Sequence, residues 1–177
     1  MADPNLLCIS GSLRAESFNS KLLQEAARVF GPAEVVFGSL KMPLYDGDLE
    51  AAGIPAEVTT LHAQMQAADA IVISTPEYNQ NLSGALKNGL DWVSRIKPMP
   101  MGGKPVAIMC AAAGRTGGAR AQYSLRHCLT PFNPAILQAP EVSVASAYAE
   151  FDDTGKLTNE RYLEALTNLM AALRAAI

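Results

Sequence analysis

The stretch LLCISGSLRAESFNSKLLQEAARVF, residues 6–30, decides the fold that the sequence predicts. It begins with a short apolar run that is typical of a buried strand. It ends with a segment in which Leu22, Ala26 and Phe30 share one helical face. A strand, a polar connection and a helix in this order form the first half of a βαβ unit, so the stretch predicts a parallel sheet covered by helices.

The same alternation of short apolar runs and helical segments continues along the chain. Strands are predicted at Leu6 to Ser10, Glu34 to Ser39, Ala70 to Thr75, Val106 to Ala111 and Ala135 to Val144. Later helices are predicted at about Pro55 to Ala68, Ser83 to Arg95, Gly118 to Leu129 and the C-terminus, with loops at Lys41 to Pro55 and Pro98 to Pro105. The pattern predicts an α/β fold, a doubly wound five-stranded parallel sheet with helices on both faces, in a single domain over residues 1–177.

The composition is that of an ordinary soluble globular protein, with 49% hydrophobic residues, 18% charged residues and a formal net charge of -3. No basic stripe is available for a nucleic-acid backbone, so nucleic-acid binding is not expected. The first residues lack a basic n-region and a long apolar run, so we expect neither a signal peptide nor a membrane span. The expected location is therefore cytoplasmic.

The cysteines do not indicate a metal site or a disulfide framework. Cys8, Cys110 and Cys128 are odd in number and widely spaced, and the chain has only two histidines. Zinc ligands and disulfide partners usually occur in closer or paired patterns. We expect Cys8 and Cys110, which lie in apolar runs, to act as small hydrophobic residues.

The polar connection after the first strand predicts a phosphate site. Its hydroxyl, amide and guanidinium groups belong to Ser10, Ser12, Arg14, Ser17 and Asn19. A helix that begins near Asn19 has unpaired N–H groups there, and these groups together with Arg14 favour a phosphomonoester. Glu16 has the wrong charge and is expected to point outward. The alternative is that Ser17 or Asn19 only caps the helix while Arg14 is solvated.

Two further loops are expected to meet this connection, because ligands of such sheets bind where the strand order reverses. The loop after the third strand offers Pro76, Glu77, Tyr78 and Asn79. Tyr78 has an aromatic face, and free main-chain N–H groups of Glu77 and Asn79 could reach the edge of a planar ligand. The loop after the fourth strand, residues 111–118, reads AAAGRTGG, and its glycines allow close approach to a flat ligand.

The helix after the third strand carries charges at helical spacing. Lys87, Asp91 and Arg95 are four residues apart and predict an ion-paired stripe on its surface. Trp92 lies away from this stripe and is a candidate interface residue.

Four motifs occur in order: GSLRAESFN, TPEYN, GALKNGLDWVSR and GGARAQYSLR. With them the chain resembles the NADPH-dependent FMN reductase family, chiefly its chromate and quinone reductase members, from about Asn5 to Glu141. The resemblance implies a flavodoxin-like fold and noncovalently bound FMN. It implies an FMN phosphate on Ser10, Ser12, Arg14, Ser17 and Asn19, and a flavin ring beside Pro76, Glu77, Tyr78, Asn79, Ala113 and Gly114.

The resemblance also implies a homodimer or homotetramer with flavin near the subunit boundary. The interface candidates are Lys87, Asp91, Trp92, Arg120, Tyr123 and Glu141. Two departures from the family pattern matter. Ala111 to Ala113 stand where relatives often carry hydroxyl residues, so flavin contacts there must come from the backbone or be absent. Gln80 stands where several relatives have a tyrosine, which puts in doubt any substrate preference carried over from them.

The implied activity is FMN-dependent oxidation of NADPH or NADH, with electrons passed by a ping-pong mechanism to quinones, free flavin, azo compounds or metal oxyanions such as chromate. The chemistry belongs to FMN, so no catalytic side chain and no metal are expected. Arg115 is a candidate for attracting the nicotinamide nucleotide, and the alternative is that its side chain is only solvated. The alternatives are a flavodoxin-type electron carrier and an FMN-binding sensor without NAD(P)H turnover. Arg14 and the small net charge argue against the carrier.

Overall fold

The computed structural model describes residues 3–177 as strands and helices in alternation. The strands are β1 (Asn5–Ser10), β2 (Glu34–Gly38), β3 (Ala70–Ser74), β4 (Pro105–Ala111), β5 (Ala135–Ile136) and β6 (Val142–Val144). The helices are α1 (Phe18–Phe30), α2 (Gly47–Ala52), α3 (Ala56–Ala67), α4 (Gly84–Val93), α5 (Ala119–Leu129) and α6 (Glu160–Ala175). Within this range no helix has the length and hydrophobicity that crossing a membrane requires.

The strands form one parallel sheet in the order β2-β1-β3-β4-β5, and β6 also pairs with β4. This is the doubly wound order typical of flavodoxin-like proteins, and it confirms the predicted fold class. Because the order reverses between β1 and β3, the loops that leave these strands diverge and form a crevice. Ser10 and Ser74 are paired in register at this point, so the two loops begin side by side.

Two cores hold the helices on the sheet. Leu7 and Ile9 of β1 face the core under α3, α4 and α5. Leu6 and Cys8, with the opposite side-chain direction, face the core under α1 and α6. Burial on both faces explains why β1 and β3 are continuous apolar runs without polar alternation.

Two predictions about the elements need correction. The predicted fifth strand, Ala135 to Val144, is divided into β5 and β6. Pro140 lies between them and has no N–H for a sheet ladder. The predicted loop from Lys41 to Pro55 contains α2, whose first turn is capped by Asp46: its Oδ1 accepts the Asp48 N–H at 2.9 Å. The predicted helices at Pro55 to Ala68, Ser83 to Arg95 and Gly118 to Leu129 begin and end within two residues of α3, α4 and α5.

Candidate functional site

Three loops meet at the carboxyl edge of the sheet, around a cleft of about 180 Å³. The cleft is lined by Ser12, Arg14, Ser17, Phe18, Asn19, Pro76, Glu77, Tyr78, Ala111, Ala112 and Ala113. The loops after β1, β3 and β4 therefore converge as the sequence predicts. Of the predicted site residues, Ser10, Asn79, Gly114 and Arg115 lie outside this lining.

The loop after β1 presents donors without internal acceptors. Within residues 3–177, no hydrogen bond uses the N–H groups of residues 15–18. The guanidinium of Arg14 is exposed and has no ion-pair partner in the same range. Glu16 points outward, since its side chain is 80% exposed and lies 3.2 Å from the Lys21 ammonium, as expected. The helix end, the free N–H groups and Arg14 have the chemistry that a phosphomonoester requires.

The serines of this loop stabilise its shape. Ser17 is the N-cap of α1, and its Oγ accepts the Asn19 N–H at 3.2 Å. Ser10 Oγ accepts hydrogen bonds from Ser20 Oγ at 3.0 Å and from the Ser12 N–H at 3.3 Å. Ser12 Oγ accepts the Arg14 N–H at 3.4 Å. Capping and phosphate binding were alternatives at the level of sequence, and the structure places the capping Ser17 in the cleft lining as well.

Asn19 has a different environment from the serines. Its side chain is 3% exposed and reaches across to the ends of two other strands. Nδ2 donates to the Ala111 carbonyl oxygen at 2.9 Å, while Oδ1 accepts the Ala111 N–H at 3.0 Å and the Ser74 hydroxyl at 2.8 Å. Asn19, at the end of the first loop, therefore contacts the points where the loops after β3 and β4 begin.

The loop after β3 is a tight reversal. The N–H of Tyr78 donates to the Asn81 carbonyl at 3.0 Å, and the N–H of Asn81 donates to the Tyr78 carbonyl at 3.1 Å. Asn79 and Gln80 form the tip, with φ of 51° and 65°. Tyr78 is 49% exposed and lines the cleft, so its ring is available to a planar ligand.

The carboxylate of Glu77 links this loop to the next one. It accepts the Arg120 N–H in the first turn of α5 at 3.1 Å, and the Arg120 guanidinium lies 3.7 Å from its other oxygen. A carboxylate at the N-terminus of a helix is stabilised by the helix dipole. In the described residues the N–H groups of Glu77 and Asn79 donate no hydrogen bond, which leaves them free for a ligand.

The loop after β4 is made almost entirely of backbone. Ala113, Gly114, Arg115 and Thr116 are exposed. The loop returns to the fold at Gly117, which has a φ of 60° and where a Cβ would lie 2.4 Å from the Ser143 carbonyl oxygen. A glycine is required there for both reasons. The small side chains leave the edge of the cleft open.

Phe18 lines the cleft and was not assigned a role from the sequence. Its ring stacks on Phe151 at a centroid distance of 5.7 Å with an interplanar angle of 20°. The only available signal was its position between Ser17 and Asn19 in the first loop, because Phe151 lies far away in the chain.

The interface prediction for Trp92 is wrong. The side chain is fully buried within the chain, its Nε1–H donates to the Pro43 carbonyl at 2.9 Å, and its ring contacts Tyr45 edge to face. The loop before α2 covers it, which helical spacing alone does not reveal. Of the predicted stripe, Lys87 and Asp91 do pair, at 2.6 Å.

The third member of that stripe, Arg95, pairs with Glu50 at 3.0 Å instead of with Asp91.

Two buried thiols are excluded as nucleophiles at neutral pH. Burial raises the pKa of Cys8 to about 12 and raises the pKa of Cys110 as well.

Known proteins resemble this chain over almost its whole length. The model of the NADPH-dependent FMN reductase family matches residues 4–149. An NAD(P)H-dependent FMN reductase from Pseudomonas aeruginosa is 42% identical over 174 residues, which cover 97% of this chain and 94% of the relative. A quinone reductase from Escherichia coli is 36% identical, with 94% and 92% covered. The structure of the flavoenzyme NAD(P)H:(acceptor) oxidoreductase FerB from Paracoccus denitrificans superposes with a TM-score of 0.86 at 28% identity, covering 97% of this chain and 96% of FerB.

Proposed function

We propose, from the premise that the chain belongs to the NADPH-dependent FMN reductase family, that it reduces quinones or free flavin in two separate half-reactions. Flavin-dependent oxidoreduction with NAD(P)H as donor and FMN as cofactor follows from the family and the relatives. When bound, FMN supplies the redox chemistry by accepting hydride from NAD(P)H and passing electrons to the acceptor. The protein's own residues bind and orient the reactants.

The convergence of three loops on one cleft carries this proposal. The proposed phosphate site consists of the free N–H groups at the start of α1 with Arg14, Ser12 and Ser17. Ser10 stabilises the loop, because its Oγ accepts the Ser12 N–H. The proposed ring site lies between the loop of Pro76, Glu77, Tyr78 and Asn79 and the loop of Ala113 and Gly114. Free backbone N–H groups in these loops are suited to stabilising negative charge on a reduced ring.

The proposed acceptors are flat and largely apolar. A second cleft of about 320 Å³ adjoins the first, shares Ser12, Arg14 and Tyr78 with it, and is also lined by Leu13 and Ala85. This wall favours quinones and free flavin, and an open cleft would also admit azo compounds and chromate. If donor and acceptor use the same face of FMN in turn, the kinetics are ping-pong. Arg115, exposed at the rim, is the proposed charge that attracts the nicotinamide nucleotide.

The proposed setting is a single FMN-binding domain that acts in the cytoplasm as a homodimer or homotetramer. Free Cys8, Cys110 and Cys128 fit a reducing compartment. The remaining interface candidates include Tyr123, which is 67% exposed, and Arg120, whose side chain is 56% exposed.

The first test is the absorbance of the FMN-loaded protein during anaerobic addition of NADPH and, separately, NADH. Rapid bleaching by either donor, followed by recovery on adding a quinone, is the expected result and ranks the two donors. Bound flavin that stays oxidised would instead indicate an electron carrier or a sensor. A protein that does not bind FMN would overturn the proposed site.

A further inference from the structure

We infer that Asn19 is a positioning residue that holds the loop of residues 111–114 against the phosphate loop, and that its side chain does not bind the phosphate. The inference deepens the proposed function and rests on it for the identity of the cofactor. It replaces the role that the sequence assigns to Asn19. The evidence is the set of bonds that the side chain makes at the end of the sheet.

The Asn19 carboxamide makes the hydrogen bonds that a neighbouring strand would otherwise make to Ala111. The last backbone bond between β3 and β4 is donated by the Thr75 N–H to the Met109 carbonyl at 3.1 Å. Beyond it the chain turns away at Pro76, which has no N–H to donate. The N–H and carbonyl of Ala111 would then be unpaired on that side, and Asn19 bonds both of them, at 3.0 and 2.9 Å. An amide side chain can make this two-point contact because it carries a donor and an acceptor.

The chemistry of the partners fixes the orientation of this amide. The Ala111 N–H requires an acceptor and the Ala111 carbonyl requires a donor, so Oδ1 and Nδ2 have one consistent assignment. Oδ1 accepts a second bond from the Ser74 hydroxyl at 2.8 Å. Nδ2 is the atom of this side chain that could donate to a phosphate, but one of its hydrogens is donated to Ala111 and the side chain is only 3% exposed, so it is directed into the fold. Ser12 and Arg14 of the same loop are more exposed and also line the cleft, so their polar groups remain available to a ligand.

Backbone placement matters in this loop because its side chains offer no hydrogen bonds. Ala111, Ala112 and Ala113 line the cleft, so any polar contact from them to a flavin ring is made by main-chain groups. Two backbone hydrogen bonds already fix the opposite side of the loop. The Ala112 N–H donates to the Val144 carbonyl oxygen at 3.0 Å, and the Ala112 carbonyl oxygen accepts the Ala147 N–H at 3.1 Å. Asn19 supplies the matching restraint on the β3 side.

The two roles of Asn19 predict different binding of FMN and riboflavin, which differ by the phosphate. Loss of a side chain that binds the phosphate lowers the affinity for FMN but not for riboflavin. Loss of a positioning residue lowers the affinities for both flavins by the same factor. We expect Asn19→Ala to reduce both affinities about tenfold, while Arg14→Ala reduces only the FMN affinity. Affinities are measured by fluorescence titration at a temperature where circular dichroism shows every variant folded.

Ser74→Ala tests the same network more mildly and keeps the inference testable if Asn19→Ala does not fold. It removes one of the two bonds to Oδ1, and we expect both flavin affinities to fall about threefold. The double variant should bind flavin no more weakly than Asn19→Ala, since Ser74 acts through Asn19. Additive losses would contradict that coupling.

Asn88→Ala is the matched control. Asn88 also bridges a backbone N–H and a carbonyl, those of Tyr45 at 2.8 Å and Pro43 at 2.9 Å, but on a loop that does not line the cleft. We expect its flavin affinities to stay within about twofold of the unmutated protein.

The visible absorption band at saturating FMN gives a second readout. It should shift in Asn19→Ala, because the backbone beside the ring moves, and remain in place in Arg14→Ala. Weaker binding of FMN with unchanged riboflavin binding would overturn the inference and make Asn19 a phosphate ligand. Unchanged binding of both flavins and an unshifted band in a folded variant would overturn it too, because the role of Asn19 would then be structural only. A protein that binds FMN but is not reduced by NAD(P)H would overturn the proposed function and leave these affinity ratios valid.

Discussion

The two loops that form the candidate flavin site use opposite means. The loop of residues 10–19 presents an arginine, several hydroxyls and a helix N-terminus. The loop of residues 111–118 presents alanines and glycines, and only its main chain can make polar contacts apart from Arg115 and Thr116. Side-chain chemistry is visible in a sequence, whereas backbone chemistry depends on what holds the chain in place. The first loop can therefore be interpreted from its residues, and the second only from its anchors.

The largest effect should come from an anchor of the alanine and glycine loop. Gly117→Ala places a Cβ 2.4 Å from the Ser143 carbonyl oxygen and puts a side chain at a φ of 60°. We expect the free energy of unfolding to fall by about 2–4 kcal/mol, measured by urea denaturation.

Gly114→Ala in the same loop is the control for this change. Gly114 has an ordinary φ, and no atom lies within 4 Å of the point that a Cβ would occupy. The substitution should change stability by less than about 0.5 kcal/mol. Equal effects at Gly114 and Gly117 would contradict the view that the loop is held at its return to the fold.

Arg14→Ala removes the fixed charge from the other loop. We expect FMN affinity to fall about ten- to a hundredfold, since charge-assisted hydrogen bonds contribute about 1.5–3 kcal/mol. The side chain is exposed and unpaired in the described residues, so stability without FMN should change little. Titration of FMN by fluorescence quenching measures the effect.

Arg115→Ala is the matched charge change on the opposite loop. FMN affinity should remain within about twofold, because Arg115 lies outside the lining of the cleft. If the two arginines had equal effects on FMN, the phosphate would not be bound chiefly by the first loop.

The sequence predicted the first loop better than the second for physical reasons. Strand and helix positions follow from apolar periodicity, and the convergence of loops follows from the strand order, so Ser12, Arg14 and Ser17 could be placed together. The clamp made by Asn19 on Ala111 joins residues that are 92 positions apart. No local pattern encodes that bond, and Trp92 was misassigned for the same reason, since its cover comes from Pro43 and Tyr45.

Ser17→Ala tests whether capping and binding are combined in one residue. Loss of the bond from the Asn19 N–H to Ser17 Oγ should lower the free energy of unfolding by about 1 kcal/mol. With saturating FMN the loss should be larger than without it, because a variant that has also lost a phosphate contact is stabilised less by the ligand. Thermal unfolding with and without saturating FMN measures both. An equal shift with and without FMN would mean that Ser17 only caps the helix.

The smallest effect concerns charges away from the cleft, and it tests whether charge matters for flavin binding only in the loop of residues 10–19. Hydrogen bonds from Tyr45 and Arg95 lower the pKa of the Glu50 carboxyl below its usual value. A carboxyl with a lowered pKa in the folded state contributes stability above its unfolded pKa and loses it as the pH falls through the folded pKa. Glu50→Gln should therefore unfold at a slightly lower temperature than the unmutated protein at pH 7, and the difference should shrink as the pH falls below the usual pKa of a glutamate and Glu50 becomes protonated. FMN affinity should not change, because Glu50, Tyr45 and Arg95 touch none of the three loops. A weaker FMN complex would show that charge outside the loop of residues 10–19 also contributes to binding.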